Sequence, residues 1–152
     1  MEPQGAAQQR FVLKQAADLY LRMTVALSDM FDGNLVNGVV FLAIARANVQ
    51  HLRRGPDAEE FDEDGVYPDE LRRPVSVLSV ANFLGLSYET TRRHVALLVE
   101  EGLCVKVGRR GVVAPAAVMR RPLVGRLSEV SDKGVRALLR GLREIPELVD
   151  EV

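Results

Sequence analysis

Residues 84 to 115 read LGLSYETTRRHVALLVEEGLCVKVGRRGVVAP, and this stretch decides the fold that we predict for the chain. Gly85 tolerates a positive φ and therefore permits a sharp chain reversal after a helix. Ser87 is a good N-cap for a second helix that begins at Tyr88, and Gly108 to Gly111 supply the turn of a β-hairpin. The stretch therefore predicts two short helices joined by a glycine turn and followed by a hairpin.

The apolar spacing assigns an inner face to each of these two helices. The first helix places Val77, Val80, Ala81 and Leu84 on one face. The second helix turns inward the side chains of Thr91, Val95, Leu98 and Val99. Its outward and N-terminal positions are polar, namely Tyr88, Glu89, Thr90, Arg92 and Arg93. The second helix is thus expected to display polar groups at its N-terminal end.

The stretch resembles the winged helix-turn-helix of bacterial transcription regulators. Ala81 and Gly85 lie four residues apart, as the small residue and the turn glycine do in that family. The EEGL at residues 100–103 resembles the end of a recognition helix, and residues 104–115 resemble the β-hairpin wing. His94 departs from the pattern, because an apolar residue is common there; we interpret it as packed at the edge of the core. The two N-terminal helices carry no family pattern.

The helices on both sides of the stretch resemble MarR-like dimeric regulators in general layout. The predicted fold class is mainly α with a small β-hairpin wing, a winged helix-turn-helix flanked by N- and C-terminal helices. We divide the chain into an N-terminal helical dimerisation region (1–54), an acidic loop (55–70), the winged helix-turn-helix (71–115) and a C-terminal helical region (116–152).

The resemblance implies contacts with double-stranded DNA, since a helix fits the major groove and presents its N-terminal residues to base edges. Arg92 or Arg93 suits a guanine, Thr90 a base or a phosphate, and Tyr88 a phosphate or a thymine methyl group. The start of the helix suits a phosphate, and the wing tip suits the adjacent minor groove or its phosphates. The predicted DNA-binding residues are Ser87, Tyr88, Glu89, Thr90, Arg92, Arg93, Lys106, Arg109 and Arg110.

Each of these assignments has an alternative interpretation. Arg92 and Arg93 can equally be surface residues that pair with Glu89 or Glu100, and the wing arginines can simply solubilise the hairpin. The net charge of −1 conceals a block of 10 basic and 3 acidic side chains at residues 71–126, which sums to +7. Such a block is a candidate surface for a polyanion, although a solvated basic face has the same composition.

The N-terminal region is predicted to form two helices. The first spans residues 9–30, and Asp32-Gly33 ends it. It carries two adjacent apolar stripes: the first is Val12, Ala16, Leu19, Met23, Ala26 and Met30, and the second is Leu13, Ala17, Tyr20, Leu27 and Phe31. The second runs to about Leu52 and is apolar on nearly every side of its middle, so it must be buried all round. We favour burial in the interface of a homodimer. The alternative is a central helix that its own chain surrounds.

The acidic loop and the C-terminal region are predicted in less detail. Residues 57–70 hold 8 acidic and no basic side chains. Their spacing does not fit a calcium loop, which favours a solvated linker. The alternative is that these acidic residues cover the basic block electrostatically when no nucleic acid is bound. After Pro115, Val118 and Met119 start a helix that Pro122 interrupts. Ser131 and Asp132 are expected to cap a last helix that ends at Pro146.

Several functional classes are not expected. The N-terminus lacks the layout of a signal peptide, and polar residues within 35–52 argue against a membrane span. Cys104 is the single cysteine, so there is no internal disulfide and a reducing cytoplasm fits; we interpret its side chain as a small apolar filler. Two histidines and one cysteine do not make a typical zinc site, and no catalytic constellation stands out. We therefore expect no enzyme activity, no metal and no cofactor.

The sequence thus favours a cytoplasmic bacterial transcription regulator that binds a palindromic or pseudo-palindromic DNA site as a homodimer. The alternative is a winged-helix module that docks other proteins in a nucleic-acid-associated assembly, with the acidic segment and the apolar second helix as partner surfaces. A third alternative is a regulator that responds to a small-molecule effector, although no residue in the sequence indicates which ligand it would bind.

Overall fold

The computed structural model describes residues 3–52, 64–109 and 111–145. Helices form most of the described chain, with one small antiparallel sheet. The elements are α1 (Pro3–Met30), α2 (Leu35–Ala47), β1 (Val75–Ser76), α3 (Val77–Leu84), α4 (Tyr88–Glu100), β2 (Val105–Val107), β3 (Gly111–Val113), α5 (Ala116–Met119) and α6 (Pro122–Leu142). A 3₁₀ turn at Asp69–Leu71 precedes β1. The prediction of a mainly helical chain with a β-hairpin is confirmed.

The predicted break between the first two helices is confirmed at Asp32-Gly33, where φ is 51° and 89°. Asn34 then caps α2, and its Oδ1 accepts a hydrogen bond of 3.1 Å from the backbone N–H of Asn37. In the described residues, no single helix is both long and apolar enough to cross a membrane. Gly5–Met30 and Leu35–Ala47 reach that length and composition only together, across a bend of 101°.

The two apolar stripes of α1 have different environments. Ala16 and Met30 of the first stripe are buried. The second stripe is divided: Leu27 is buried near the end of the helix, whereas Leu13 and Tyr20 are 61% and 60% exposed. The first stripe therefore faces the core, while the N-terminal part of the second stripe faces away from the rest of the described chain.

Helix α2 lies at the centre of the molecule, packed against α1, α3, α4 and β3. Val40, Phe41 and Ile44 are 0%, 1% and 0% exposed, and the Phe41 ring lies 5.8 Å from the ring of Phe31. The inner side of α2 is therefore buried within a single chain, whereas Leu42 and Val36 are each 38% exposed. The homodimer through the N-terminal helices remains a prediction.

Gly38 lets α2 approach α1 closely. A Cβ atom at residue 38 would lie 2.8 Å from the backbone oxygen of Leu27, which is closer than non-bonded atoms tolerate. On α6, a Cβ atom at Gly125 would meet nothing within 4 Å. Both glycines lie inside helices, but a side chain would clash at residue 38 and would meet free space at residue 125.

We expect Gly38→Ala and Gly125→Ala to change stability in opposite directions. Alanine favours a helix over glycine by up to about 1 kcal/mol, so Gly125→Ala should raise the free energy of unfolding by about 0.5–1 kcal/mol. Gly38→Ala should lower it by about 1–2 kcal/mol, because the clash with Leu27 outweighs that gain. Urea denaturation followed by circular dichroism measures both. A stabilising effect of Gly38→Ala would show that the two helices can separate at no cost.

Asn48 joins the C-terminus of α2 to the sheet. Its side chain is fully buried, and its Nδ2 donates hydrogen bonds to the backbone oxygens of Arg73 (2.8 Å) and Val112 (3.0 Å). Its Oδ1 accepts one of 2.9 Å from the backbone N–H of Ala114. The backbone N–H of Arg73 also donates to the backbone oxygen of Asn48. One amide thus satisfies polar groups from two distant segments, as buried polar groups require.

The sheet has three strands in the order β1-β3-β2, all antiparallel. The predicted hairpin is confirmed, with Lys106 opposite Val112 and Val107 opposite Gly111. Strand β1 was not predicted; it pairs Val75 with Val112 and contains only two residues. A strand this short shows no alternation of apolar and polar residues, so the sequence carries no signal for it.

The C-terminal region differs from the prediction. Pro122 separates two helices, because α5 ends before it and α6 begins at it. A proline at the first position of a helix loses no helical hydrogen bond. The prediction that Ser131 and Asp132 cap a separate helix is wrong, because both lie inside α6. The Ser131 hydroxyl donates to the backbone oxygen of Leu127 at 2.7 Å, and Asp132 pairs with Arg136. Helix α6 packs along α1, and Pro146 lies outside the described residues.

The described part of the acidic segment, residues 64–70, contacts the C-terminal region. Asp64 Oδ2 lies 2.6 Å from Arg120 Nε, and this pairing lowers the pKa of the Asp64 carboxyl group. Asp69 Oδ1 accepts a hydrogen bond of 2.8 Å from the backbone N–H of Ala116, the first residue of α5. These carboxylates therefore bind to α5 and its end instead of forming a fully solvated linker; residues 57–63 lie outside the described residues.

Candidate nucleic-acid interface

Helices α3 and α4 meet through the predicted glycine turn. Gly85 ends α3 with φ 67° and ψ 26°, a left-handed conformation that glycine adopts without strain. The backbone N–H of Leu86 closes the turn by donating to the oxygen of Ala81 at 3.0 Å. The predicted inner faces are confirmed, with the buried side chains Val80, Ala81, Thr91, Val95 and Leu98. Burial of these side chains fixes α4 and leaves its opposite face exposed.

Ser87 caps α4 as predicted. Its Oγ accepts a hydrogen bond of 3.1 Å from the backbone N–H of Thr90 and donates one of 2.8 Å to the Thr90 hydroxyl. The hydroxyl of Thr91 donates to the backbone oxygen of Ser87 at 3.0 Å. Since the Ser87 hydroxyl is committed to the cap, a phosphate at this helix start would bind to free backbone N–H groups of the first turn instead.

Arg92 pairs with Glu89, which is one of the two interpretations that the sequence left open. Its Nε and a terminal nitrogen donate to the two carboxylate oxygens at 2.9 Å and 2.7 Å. The hydrogen bonds lower the pKa of Glu89 and raise that of Arg92. Both side chains are exposed, so water screens the pair and a phosphate or base can replace Glu89. Glu89 thus holds the guanidinium in place near the start of α4.

Arg93 differs from its neighbour. It is exposed, and within the described residues no carboxylate lies within 4.0 Å of its guanidinium. The alternative pairing with Glu100 is therefore not observed. Tyr88, on the first turn, is also largely exposed. These two side chains are accessible to a partner without breaking an ion pair.

A groove of about 390 Å³ lies between the start of α3, the face of α4 and the β2–β3 hairpin. Of the predicted residues, Tyr88, Arg92, Lys106 and Arg109 line it. Ser87, Glu89, Thr90 and Arg93 belong to the start of α4 outside this groove, and Arg110 lies outside the described residues. Three cationic side chains from a helix, a strand and a turn thus converge on one concave surface, which favours an anionic partner.

The sequence did not identify every residue of the groove. Ser76, Leu78 and Ala96 also line it. Ala96 could have been found, because it follows Arg92 by one helical turn and shares its face. Ser76 and Leu78 carry no comparable signal, since their position depends on how the start of α3 packs against the hairpin.

His94 is packed at the edge of the core, as predicted. Its Nδ1 donates to the side-chain oxygen of Asn37 on α2, because an amide oxygen can only accept. Asn37 is itself buried. Partial burial, and then the charge of Arg93, lower the pKa of His94. The departure from an apolar residue at position 94 is therefore matched by a polar partner on the central helix.

Cys104 is buried, in agreement with its interpretation as an apolar filler. Burial raises the pKa of its thiol from 9.0 to about 12, so at pH 8 the native thiolate fraction is about 1,000-fold below that of the unfolded chain. We expect a thiol reagent to label the native protein far more slowly than urea-unfolded protein. Between pH 9 and 12 the thiol ionises in the unfolded chain but not in the native protein. This ionisation favours the unfolded chain, so the contribution of Cys104 to the free energy of unfolding is present below pH 9 and is lost as the pH rises toward 12. Native labelling at the unfolded rate would contradict this burial.

No protein-family model, no curated protein and no solved structure matches the chain. What the site can do must therefore follow from its own residues and their geometry.

Proposed function

We propose that the protein is a transcription regulator that binds double-stranded DNA in a sequence-specific manner through a winged helix-turn-helix. In this proposal α3 and α4 form the helix-turn-helix, and the β2–β3 hairpin is the wing. The observation that carries the proposal is the basic groove between α4 and the hairpin, lined by Arg92, Lys106 and Arg109. The exposed Arg93 directly follows Arg92 in the sequence.

The dimensions and chemistry of α4 support this assignment. An α-helix with its side chains is about 10–12 Å wide, which fits the major groove of B-DNA at about 12 Å. The N-terminal half of α4 exposes Tyr88, Arg92 and Arg93, which offer a phenol and two guanidinium groups to base edges and phosphates. With α4 in the major groove, Arg109 at the hairpin turn would contact the neighbouring backbone or minor groove.

A homodimer remains part of the proposal, with α1 in place of α2 as the interface. Four large apolar side chains of α1 are exposed, namely Leu13, Tyr20, Leu21 and Val25. A two-fold axis through this helix would bring the same surface of two copies together. It would also present two copies of α4 to half-sites separated by ~34 Å or a multiple of it.

The test is selection of bound fragments from random DNA, followed by anisotropy titrations of the selected site against a scrambled duplex. We expect inverted half-sites and a preference for the selected site at moderate salt. With ~6 phosphate contacts, the log-log slope of affinity against salt should be about −5. Selection that yields no common sequence, with equal affinity for the scrambled duplex, would contradict the proposal.

A further inference from the structure

A second cavity of about 580 Å³ lies away from the basic groove. It is open to solvent on one side and lies between α2, residues 64–72, the end of α5 and the first half of α6. Its walls include the apolar side chains of Leu42, Val49 and Val124. Arg46, Arg72 and Arg120 line it as well. The volume lies in the range of small-molecule sites, which combine apolar walls with a few polar groups.

Arg72 is the unusual residue of this cavity. As a whole residue, Arg72 is only 8% exposed. Its Nε donates to the backbone oxygen of Tyr67 at 3.1 Å, and in the described chain no carboxylate lies within 4.0 Å of its guanidinium. Burial lowers the pKa of Arg72; the charge of Asp69 opposes this effect, and that of Arg120 adds to it. A guanidinium has five N–H donors, so most donors of Arg72 lack a partner among the described residues.

Arg72 lines the cavity. No side-chain nitrogen or oxygen in the described residues is both enclosed and without a hydrogen bond. The terminal nitrogens of Arg72, which have no hydrogen bond among the described residues, are therefore accessible, and a ligand in the cavity would lie beside this residue. A buried cation without an anionic partner is unfavourable. A carboxylate would accept two parallel hydrogen bonds from the terminal nitrogens and supply the missing charge.

The remaining walls define the rest of the ligand. The apolar side chains favour a hydrocarbon body, which inorganic phosphate lacks. Asp64 also lines the cavity and already pairs with Arg120 at 2.6 Å. Arg120 thus has a carboxylate partner, and the Arg46 guanidinium lies over the ring of Phe83 at 5.0 Å, so Arg72 is the cation that a single ligand carboxylate would pair with. We propose that this cavity binds a small monocarboxylate with an apolar body, held by the Arg72 guanidinium.

The test is titration of the ¹⁵N-labelled full chain with sodium hexanoate and sodium benzoate, using hexanamide as an uncharged control of matched shape. We expect saturable shifts of resonances from α2, residues 64–72 and α6 with at least one carboxylate, and affinity weaker by about tenfold or more for hexanamide. The Nε–H resonance of Arg72 should shift as well, because Nε belongs to the same guanidinium although it donates to the backbone oxygen of Tyr67. No DNA is present, so the result is independent of the proposed function.

Three variants locate the site. Arg72→Gln removes the charge and should weaken carboxylate binding by about tenfold or more. Gly125→Phe fills the cavity from α6, where a Cβ atom meets nothing within 4 Å, and should abolish binding in a folded protein. Arg73→Gln is the matched control, since Arg73 is exposed and does not line the cavity. If Arg72→Gln does not fold, Gly125→Phe decides.

Four results would overturn the proposal. The first is no saturable shift with either carboxylate at millimolar concentration. The second is equal affinity for hexanamide. The third is unchanged binding in folded Gly125→Phe. The fourth is an equal loss of affinity in Arg72→Gln and Arg73→Gln, which would indicate a diffuse attraction to the basic surface.

Discussion

Replacing Asn48 by alanine is expected to lower the free energy of unfolding by about 3 kcal/mol. The substitution removes three side-chain hydrogen bonds at a fully buried position. The backbone oxygens of Arg73 and Val112 and the N–H of Ala114 then lose a partner that water cannot easily replace. A buried polar group left without its hydrogen bond costs about 1–3 kcal/mol. The effect should be seen as a lower urea midpoint with an unchanged slope.

Two further variants separate hydrogen bonding from the loss of side-chain volume. Asn48→Asp keeps the shape and can still accept from Ala114, but it loses both donations and places a carboxylate against two backbone oxygens. It should therefore destabilise the protein at least as much as Asn48→Ala. Asn82→Ala is the control, because Asn82 is exposed on α3 and alanine favours a helix. Equal small effects in all three variants would show that the junction of α2 with the sheet is not rigid.

The double variant Arg92→Ala/Arg93→Ala is expected to weaken binding to the selected DNA site by about 100-fold while leaving the fold intact. Each guanidinium that pairs with a guanine or a phosphate contributes about a tenfold factor or more. Both side chains are exposed on α4 and neither belongs to the core. The salt slope should also become shallower, by about one unit for each lost phosphate contact. Anisotropy titrations measure the affinity, and circular dichroism confirms the fold.

The variant Arg136→Ala/Arg140→Ala on α6 is the matched control. It removes the same charge, and it too contains one arginine in an ion pair, Arg136 with Asp132, beside an exposed one. Its affinity for DNA should change far less. Equal losses in the two double variants would indicate general charge attraction. Unchanged DNA affinity in Arg92→Ala/Arg93→Ala would show that these two arginines of α4 do not contact the DNA.

The local part of the fold could be predicted from the sequence because its signals are local. The cap at Ser87, the left-handed Gly85 and the apolar spacing of α4 each act within a few residues. They predicted α3, the turn, α4 and the hairpin with correct boundaries to within a residue or two. The resemblance grouped Tyr88, Arg92, Lys106 and Arg109 as predicted DNA-binding residues, and in the structure these four line one groove. The pairing of Arg92 with Glu89 was one of two interpretations.

The remainder depended on contacts between distant residues. Whether α2 is enclosed by its own chain or by a second copy depends on how α1, α3 and α4 surround it, and apolar periodicity is the same in both cases. In the sequence, Asn48 is only a polar residue in an apolar segment. Its role appears in the structure, where its side chain donates to the backbone oxygen of Val112 in β3. Ser131 and Asp132 have the composition of a cap, but the packing of α6 along α1 carries the helix through them. The burial of Arg72 could not be predicted from an arginine in a basic run.

The strand order has a consequence for colloidal behaviour. Within the described residues β2 pairs on one side only, so its other side is a potential template for strands from further molecules. Val105 and Val107 are both exposed, which would favour such growth. However, β2 has only three residues and carries Lys106 at its centre, and stacked copies would bring their ammonium groups together. Concentrated solutions of the protein should therefore resist fibril formation, and Lys106→Val should remove that resistance.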